Sequence, residues 1–147
     1  MDLNPVGFYT EEIREEGIRK GFELVSLDGR RAILSHTDIR SPYRVGKYKV
    51  DVKGFENFLD SIPYFSANTH LIMIDEIGKM ECLSDQFKKL LEELLESEKG
   101  VIATIALKGS GLIEAIKKRH DTKLFQLIKS NWDALLFDIL KEVGIGA

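Results

Sequence analysis

The chain has 147 residues, of which 44% are hydrophobic and 31% are charged, and its formal net charge is −3 at pH 7. These values are typical of a folded globular protein and exclude an intrinsically disordered chain. They give no electrostatic signal for general nucleic-acid binding. The apolar runs are too short to span a membrane, we find no secretion signal, and Cys82 is the only cysteine, so we expect a cytoplasmic protein. At this length we expect one domain over residues 1–147.

Three extended segments separated by turn residues occupy the first third of the chain. Each is rich in β-branched and aromatic residues, and they read VGFYTEEI (6–13), KGFELVSL (20–27) and RRAILSH (30–36). Asp28 and Gly29 have the composition of a tight hairpin turn. We therefore expect an antiparallel meander. The stretch SPYRVGKYKVDVKG (41–54) has no helical period and is predicted to be a partly extended loop.

Helices and strands then alternate. Helical spacing begins at Phe55 and is disrupted by Pro63, Ser84 can cap a second helix, and residues 112–119 form a short third helix. Three apolar strands, each expected to be buried on both faces, are HLIMIDE (70–76), GVIATIAL (100–107) and KLFQLI (123–128). A capping box at residues 130–133 introduces a last helix over residues 132–143. This alternation predicts an α/β fold whose parallel sheet is covered by helices, with the meander extending one edge.

Two adjacent carboxylates, Asp75 and Glu76, follow the buried run LIMI. In parallel sheets the carboxyl ends of the strands border the ligand-binding crevice. Unpaired carboxylates are costly to desolvate, and their oxygens suit a hard cation. In one arrangement Asp75 holds Mg²⁺ through a water while Glu76 polarises the water that attacks a phosphate. In the other, both acids simply leave the strand into solvent beside Lys79.

Longer strings favour the first arrangement. IDEIGKME (74–81), GFYTEEIRE (7–15) and SPYRVGKYKVDV (41–52) closely resemble the small P-loop nucleoside-triphosphatases best known from thermophilic microbes, and ATI (103–105) matches that family's next core strand. The strings occur in the family's order and extend over nearly the whole chain. The resemblance implies a P-loop NTPase-like fold and Mg²⁺-dependent hydrolysis of ATP, GTP and other nucleoside triphosphates to the nucleoside diphosphate and phosphate.

The resemblance also implies roles for single residues. Asp75 would be the Walker B aspartate that serves Mg²⁺, Glu76 the catalytic base, and Thr104 a polar sensor near the γ-phosphate. A threonine in an apolar strand can equally be present only as a β-former.

Basic residues supply further candidates for nucleotide binding. Arg44 and Lys47 flank Gly46 in a segment that has the composition of a binding loop, the alternative being a solvated loop. Arg119 could act as an arginine finger in cis, or could merely complement a helix dipole. We also expect Lys79 and Glu81 to pair with each other or with acids of the meander.

The 147 residues contain no GxxxxGK[ST] string, which in this family lies upstream of GFYTEE and holds the phosphates. KGSG (108–111) lacks the Lys-Ser/Thr pair and is predicted to be a connection. We therefore expect an N-terminally incomplete domain without the first strand and the phosphate-binding helix, which self-associates through its exposed sheet. The alternative is a non-catalytic binding or assembly module that has lost the loop. Translating the DNA upstream of Met1 in frame distinguishes the two.

We predict that the 147-residue chain alone hydrolyses ATP and GTP very slowly or not at all. Phosphoryl transfer depends mainly on positioning and on charge stabilisation of the phosphates, which the absent string would supply. Phosphate release in the presence of Mg²⁺ measures this directly. Turnover at the rate of a complete family member would contradict the prediction.

Overall fold

A single sheet of seven strands dominates the computed structural model, which describes residues 5–109 and 111–126. In chain order the strands are β1 (Val6–Glu15), β2 (Ile18–Ser26), β3 (Arg31–His36), β4 (Arg44–Val45), β5 (Tyr48–Val50), β6 (Leu71–Ile77) and β7 (Gly100–Ile105). The α-helices within these residues are α1 (Val52–Asp60), α2 (Asp85–Glu96) and α3 (Leu112–Lys117), and Glu81–Leu83 forms a 3₁₀ helix. The chain divides into two compact units, Met1–Ile113 and Glu114–Ala147, and the sheet belongs to the first.

The strand order is β4-β5-β3-β2-β1-β6-β7. Strands β1, β2 and β3 pair antiparallel, whereas β6 pairs in parallel with both β1 and β7. The predicted meander and its place at one edge of the parallel strands are therefore confirmed. The stretch predicted as a partly extended loop adds a small hairpin, β4 with β5, which turns at Gly46 with a positive φ of 59°.

The meander meets the parallel strands at Gly7. Strand β1 pairs with β6 over three residue pairs, from Val6 with Ile72 to Phe8 with Ile74. Gly7 has a φ of +140°, and a Cβ atom there would lie 1.8 Å from the carbonyl oxygen of Met73. Only glycine permits this backbone conformation together with so close an approach.

Side-chain caps set the starts of the first two helices. The Asp51 carboxylate accepts from the backbone N–H of Gly54 at 2.9 Å and caps α1. The Ser84 hydroxyl accepts from the backbone N–H of Phe87 at 3.0 Å and caps α2, as predicted. Each cap satisfies a donor that the first helical turn would otherwise leave without a partner. No helix in the described part of the chain is long and apolar enough to cross a membrane.

Aromatic rings join the two helices to the sheet. The Phe8 ring of β1 contacts the rings of Phe55 and Phe58 on α1 and of Phe87 on α2, with centroid distances of 5.8, 6.0 and 6.2 Å. Each of these pairs is close to edge-to-face, the arrangement that the aromatic quadrupole favours. Phe8 is 1% exposed and lies where strand and helices converge.

The expectation that the parallel strands are buried on both faces is only partly met within residues 5–109 and 111–126. Ile72 and Ile74 are buried, but Met73, which points to the opposite face, is 38% exposed, and the side chains of β7 are half-buried or exposed. The third predicted strand is wrong where it can be compared, because residues 123–126 form no strand. A strand requires a hydrogen-bonded neighbour, and residues 123–126 are paired with none of the described strands. The predicted helix over residues 132–143 lies outside the described residues.

We predict that Phe8→Ala lowers the free energy of unfolding by about 3–5 kcal/mol, because it removes a buried ring and leaves a cavity among three others. Phe65→Ala is the matched control, since Phe65 is 50% exposed and its loss should cost less than about 1 kcal/mol. Chemical denaturation of both variants measures the difference. Equal effects would show that Phe8 does not organise the core.

Candidate active site

A bulge in β6 places the two acidic residues at the rim of the sheet. Ile74 pairs with Ala103, and the next pair is Ile77 with Ile105, so β6 has one extra residue between these pairs. Adjacent residues of a regular strand point to opposite faces, but a bulge breaks that alternation and re-aims the side chains. Both Asp75 and Glu76 are exposed at the carboxyl end of β6.

Asp75 and Thr104 are joined by a hydrogen bond between neighbouring strands. The Thr104 hydroxyl donates to Asp75 Oδ1 at 2.7 Å. This contact fixes one carboxylate oxygen, while Oδ2 has no hydrogen bond or ion pair with any described residue. Thr104 is exposed at this edge, so its side chain is not a buried part of the core. The pair therefore presents an oriented carboxylate oxygen at the carboxyl edge of the parallel strands.

Glu76 lies against the backbone of Gly78. A Cβ atom on Gly78 would lie 3.1 Å from Glu76 Oε1 and 3.0 Å from Glu81 Oε1, so the absence of a side chain there accommodates both carboxyl groups. Partial burial of its carboxyl group raises the pKa of Glu76, and the charge of Asp75 raises it further. A carboxylate whose pKa is raised toward neutrality is a better proton acceptor than an ordinary surface glutamate.

Glu81 is the residue of this region that sequence reasoning misjudged. We expected it to pair with Lys79 or with acids of the meander, but it is 4% exposed and forms no ion pair with the described residues. Burial raises its pKa to about 7, and the charges of Glu76 and Asp75 act in the same direction. Hydrogen bonds from the backbone N–H groups of Glu81 and Gly78 lower the pKa and so oppose part of this shift. The signal in the sequence was weak: Glu81 precedes the apolar residues Cys82 and Leu83.

The donor set at this edge suits a hard cation. Asp75 and Glu76 contribute carboxylate oxygens and Thr104 contributes a hydroxyl, all of them ligand types that Mg²⁺ prefers. The free oxygen of Asp75 is the atom available to a metal or to its water shell. Another cluster, Glu15, His36 and Asp38, is held by its own contacts: His36 Nδ1 accepts from the Asp38 backbone N–H at 3.0 Å, and Nε2 lies 3.4 Å from Glu15.

The predicted basic residues lie on other elements. Arg44 belongs to β4, and Lys47 lies in the β4–β5 turn, with its ammonium 5.4 Å from the centroid of the Tyr48 ring. Both are exposed in the hairpin at the opposite end of the strand order from β7. Arg119 lies in the Glu114–Ala147 unit, where its guanidinium donates to both carboxylate oxygens of Asp121 at 2.8 and 2.9 Å. Lys108, Gly109 and Gly111 lie between β7 and α3, so the described residues of KGSG form a connection, as predicted.

We predict that Glu81 makes folding stability depend on pH. Its folded-state pKa of about 7 exceeds the ordinary 4.5, so between these values the folded state keeps a proton that the unfolded state has released. The free energy of unfolding should therefore fall as pH rises through this window. Glu81→Gln has no carboxyl group to ionise at this position. Its free energy of unfolding, measured relative to that of the parent, should therefore rise by on the order of 3 kcal/mol from the acidic to the alkaline side of the window.

Denaturant unfolding of parent and variant on both sides of the window measures the effect. Glu92→Gln, on the exposed side of α2, controls for the change in net charge. If the stability difference between parent and Glu81→Gln is the same at both pH values, then Glu81 does not titrate as proposed.

Comparison with known proteins identifies the family of this chain. A family model described as NTPase matches residues 1–140. The nucleoside-triphosphatase THEP1 of Thermotoga sp. (strain RQ2) is 47% identical over 138 residues, which cover 93% of this chain and 79% of that protein.

Two solved structures are similar as well. The crystal structure of THEP1 from Aquifex aeolicus superposes with a TM-score of 0.81 at 30% identity, over 95% of this chain and 84% of that one. The solution structure of a human cancer-related nucleoside triphosphatase has a TM-score of 0.77 at 36% identity, over 97% and 82% of the two chains. The chain therefore belongs to the NTPase family whose members include the THEP1 nucleoside-triphosphatases.

Proposed function

We propose that Asp75, Glu76 and Thr104 carry out the water-activating step of nucleoside-triphosphate hydrolysis, the activity for which the relatives are named. The observation that carries the proposal is the 2.7 Å bond from Thr104 to Asp75, formed where two adjacent parallel strands end. Ligands of parallel α/β sheets bind at this end of the strands.

Asp75 would serve Mg²⁺, directly or through a coordinated water. Thr104 occupies Oδ1 and leaves Oδ2 for this task, so the metal-facing oxygen would be oriented before the metal arrives. When bound, Mg²⁺ neutralises the charge of the β- and γ-phosphates. The same threonine would lie next to the γ-phosphate, where its hydroxyl can respond to the presence of that group.

Glu76 would accept a proton from the attacking water. As the water oxygen bonds to the γ-phosphorus, the bond from that phosphorus to the β–γ bridging oxygen breaks. The products are the nucleoside diphosphate and inorganic phosphate. The raised pKa of Glu76 suits this role, since a general base works best when its pKa lies near the working pH. The close approach of Gly78 to Glu76 restricts where the carboxylate can lie.

Basic side chains outside the carboxyl edge of β6 and β7 would supply further contacts with the nucleotide. Arg44 and Lys47 are the proposed basic contacts for ATP, GTP or another triphosphate, and the role expected for Arg119, which lies in the Glu114–Ala147 unit, stays a prediction. We propose that residues 1–147 form one P-loop NTPase-like domain. A cytoplasmic location fits the unpaired Cys82.

We predict that Glu76→Gln abolishes hydrolysis and largely keeps nucleotide binding in a form of the protein that carries the upstream loop. The substitution removes the proton acceptor but leaves the phosphate contacts in place. A loss of about a hundredfold or more in kcat is typical for a general base. Phosphate release measures kcat, and titration with a fluorescent nucleotide measures binding.

The matched control is Glu98→Gln, which makes the same change at an exposed position after α2. It should leave both quantities close to the parent values. If Glu76→Gln keeps the parent's turnover, or if it loses binding as completely as turnover, then Glu76 is not the general base.

A further inference from the structure

A lysine-lined cleft of about 590 Å³ lies beside the candidate active site. Its basic residues come from three different segments: Lys79 follows β6, Lys88 is on α2, and Lys108 follows β7. None of Asp75, Glu76 and Thr104 lines it. The cleft is therefore a separate cavity, and the catalytic role proposed for the acidic residues does not account for it.

The charge of this cleft is one-sided. None of the described residues that line it is acidic. Lys79 and Lys108 have no ion-pair partner among the described residues, and Lys88 pairs at 3.1 Å with Asp85, whose side chain is 96% exposed. A solvent-exposed pair of this kind neutralises little of the lysine's charge. Three lysines that line one cavity favour an anionic occupant.

The remaining lining of the cleft is apolar. Leu83, Leu112, Ile113 and Val45 border it, and Val45 connects it to the hairpin that carries Arg44 and Lys47. The volume is within the range of about 300–1,000 Å³ typical of small-molecule sites, and it is far larger than a lone phosphate requires. Apolar walls with a lysine rim suit an organic molecule that carries a phosphate group.

We propose that this cleft binds a small phosphorylated organic molecule through Lys79, Lys88 and Lys108. Binding at this site requires neither Mg²⁺ nor hydrolysis, so its test does not depend on the roles proposed for Asp75 and Glu76. Two kinds of phosphorylated ligand fit this description. The ligand is either the nucleotide or a second, non-nucleotide molecule bound next to the catalytic edge.

The single cysteine of the chain provides a reporter, because Cys82 lines the same cleft. Burial raises the pKa of its thiol to about 11, so alkylation by N-ethylmaleimide is slow and sensitive to a further loss of access. The experiment measures this alkylation rate by mass spectrometry at fixed pH with EDTA present, while ribose 5-phosphate or ADP is added. Calorimetry measures the affinity of each ligand independently.

We expect saturable protection of Cys82 by at least one of the two ligands. The triple substitution of Lys79, Lys88 and Lys108 by Gln should weaken that binding by about tenfold or more, since each ammonium contributes a charge-assisted contact. The matched control replaces Lys20, Lys53 and Lys89, which do not line the cleft, and should leave the affinity unchanged. Circular dichroism checks that both variants remain folded.

The two test ligands distinguish these two kinds. Binding of ribose 5-phosphate identifies a site for a separate phosphorylated molecule, whereas binding of ADP alone assigns the cleft to the nucleotide. Three results would overturn the proposal: neither ligand binds, binding survives the substitution of the cleft lysines, or the control variant loses binding equally. Because metal is excluded, none of these outcomes depends on whether Glu76 is the general base.

Discussion

The short parallel pairing of β1 with β6 is the constraint on which the rest of the structure depends. It joins an antiparallel meander to the parallel strands over three residue pairs, and it requires Gly7, because a Cβ atom there would collide with the Met73 carbonyl. The next residue, Phe8, then enters the cluster of rings on α1 and α2. A single local geometry therefore sets both the register of the sheet and the position of its two capped helices.

The same sheet controls the chemistry at its carboxyl edge. A regular β6 would send Asp75 and Glu76 to opposite faces, and the bulge relative to β7 is what allows both to lie at the rim. Burial raises the free energy of the charged forms of Glu76 and Glu81, and repulsion from the neighbouring carboxylates raises it further. Both effects raise the pKa of the two groups. The hydrogen bond from Thr104 gives Asp75 a partner, whereas no described residue gives one to Glu76.

The distribution of charge divides this part of the molecule into two regions. Acidic groups gather at the end of β6, whereas the neighbouring cleft is lined by three lysines and by no acidic residue among those that the structure describes. An acidic edge suits a cation and a water, and a basic cleft suits phosphate. In this chain the two are built from consecutive segments, since Lys79 follows Glu76 by three residues.

The sequence by itself determined the meander, the helix that begins after Ser84, strands β6 and β7, and the family, because each depends on local periodicity or on contiguous strings. It did not reveal the β4–β5 hairpin, whose strands have only two and three residues. Only the tertiary structure decided that Thr104 holds Asp75, 29 residues away, that Glu81 is buried and that three lysines share a cleft. Those features arise from strand register and from packing between distant segments, and neither leaves a periodic pattern in the chain.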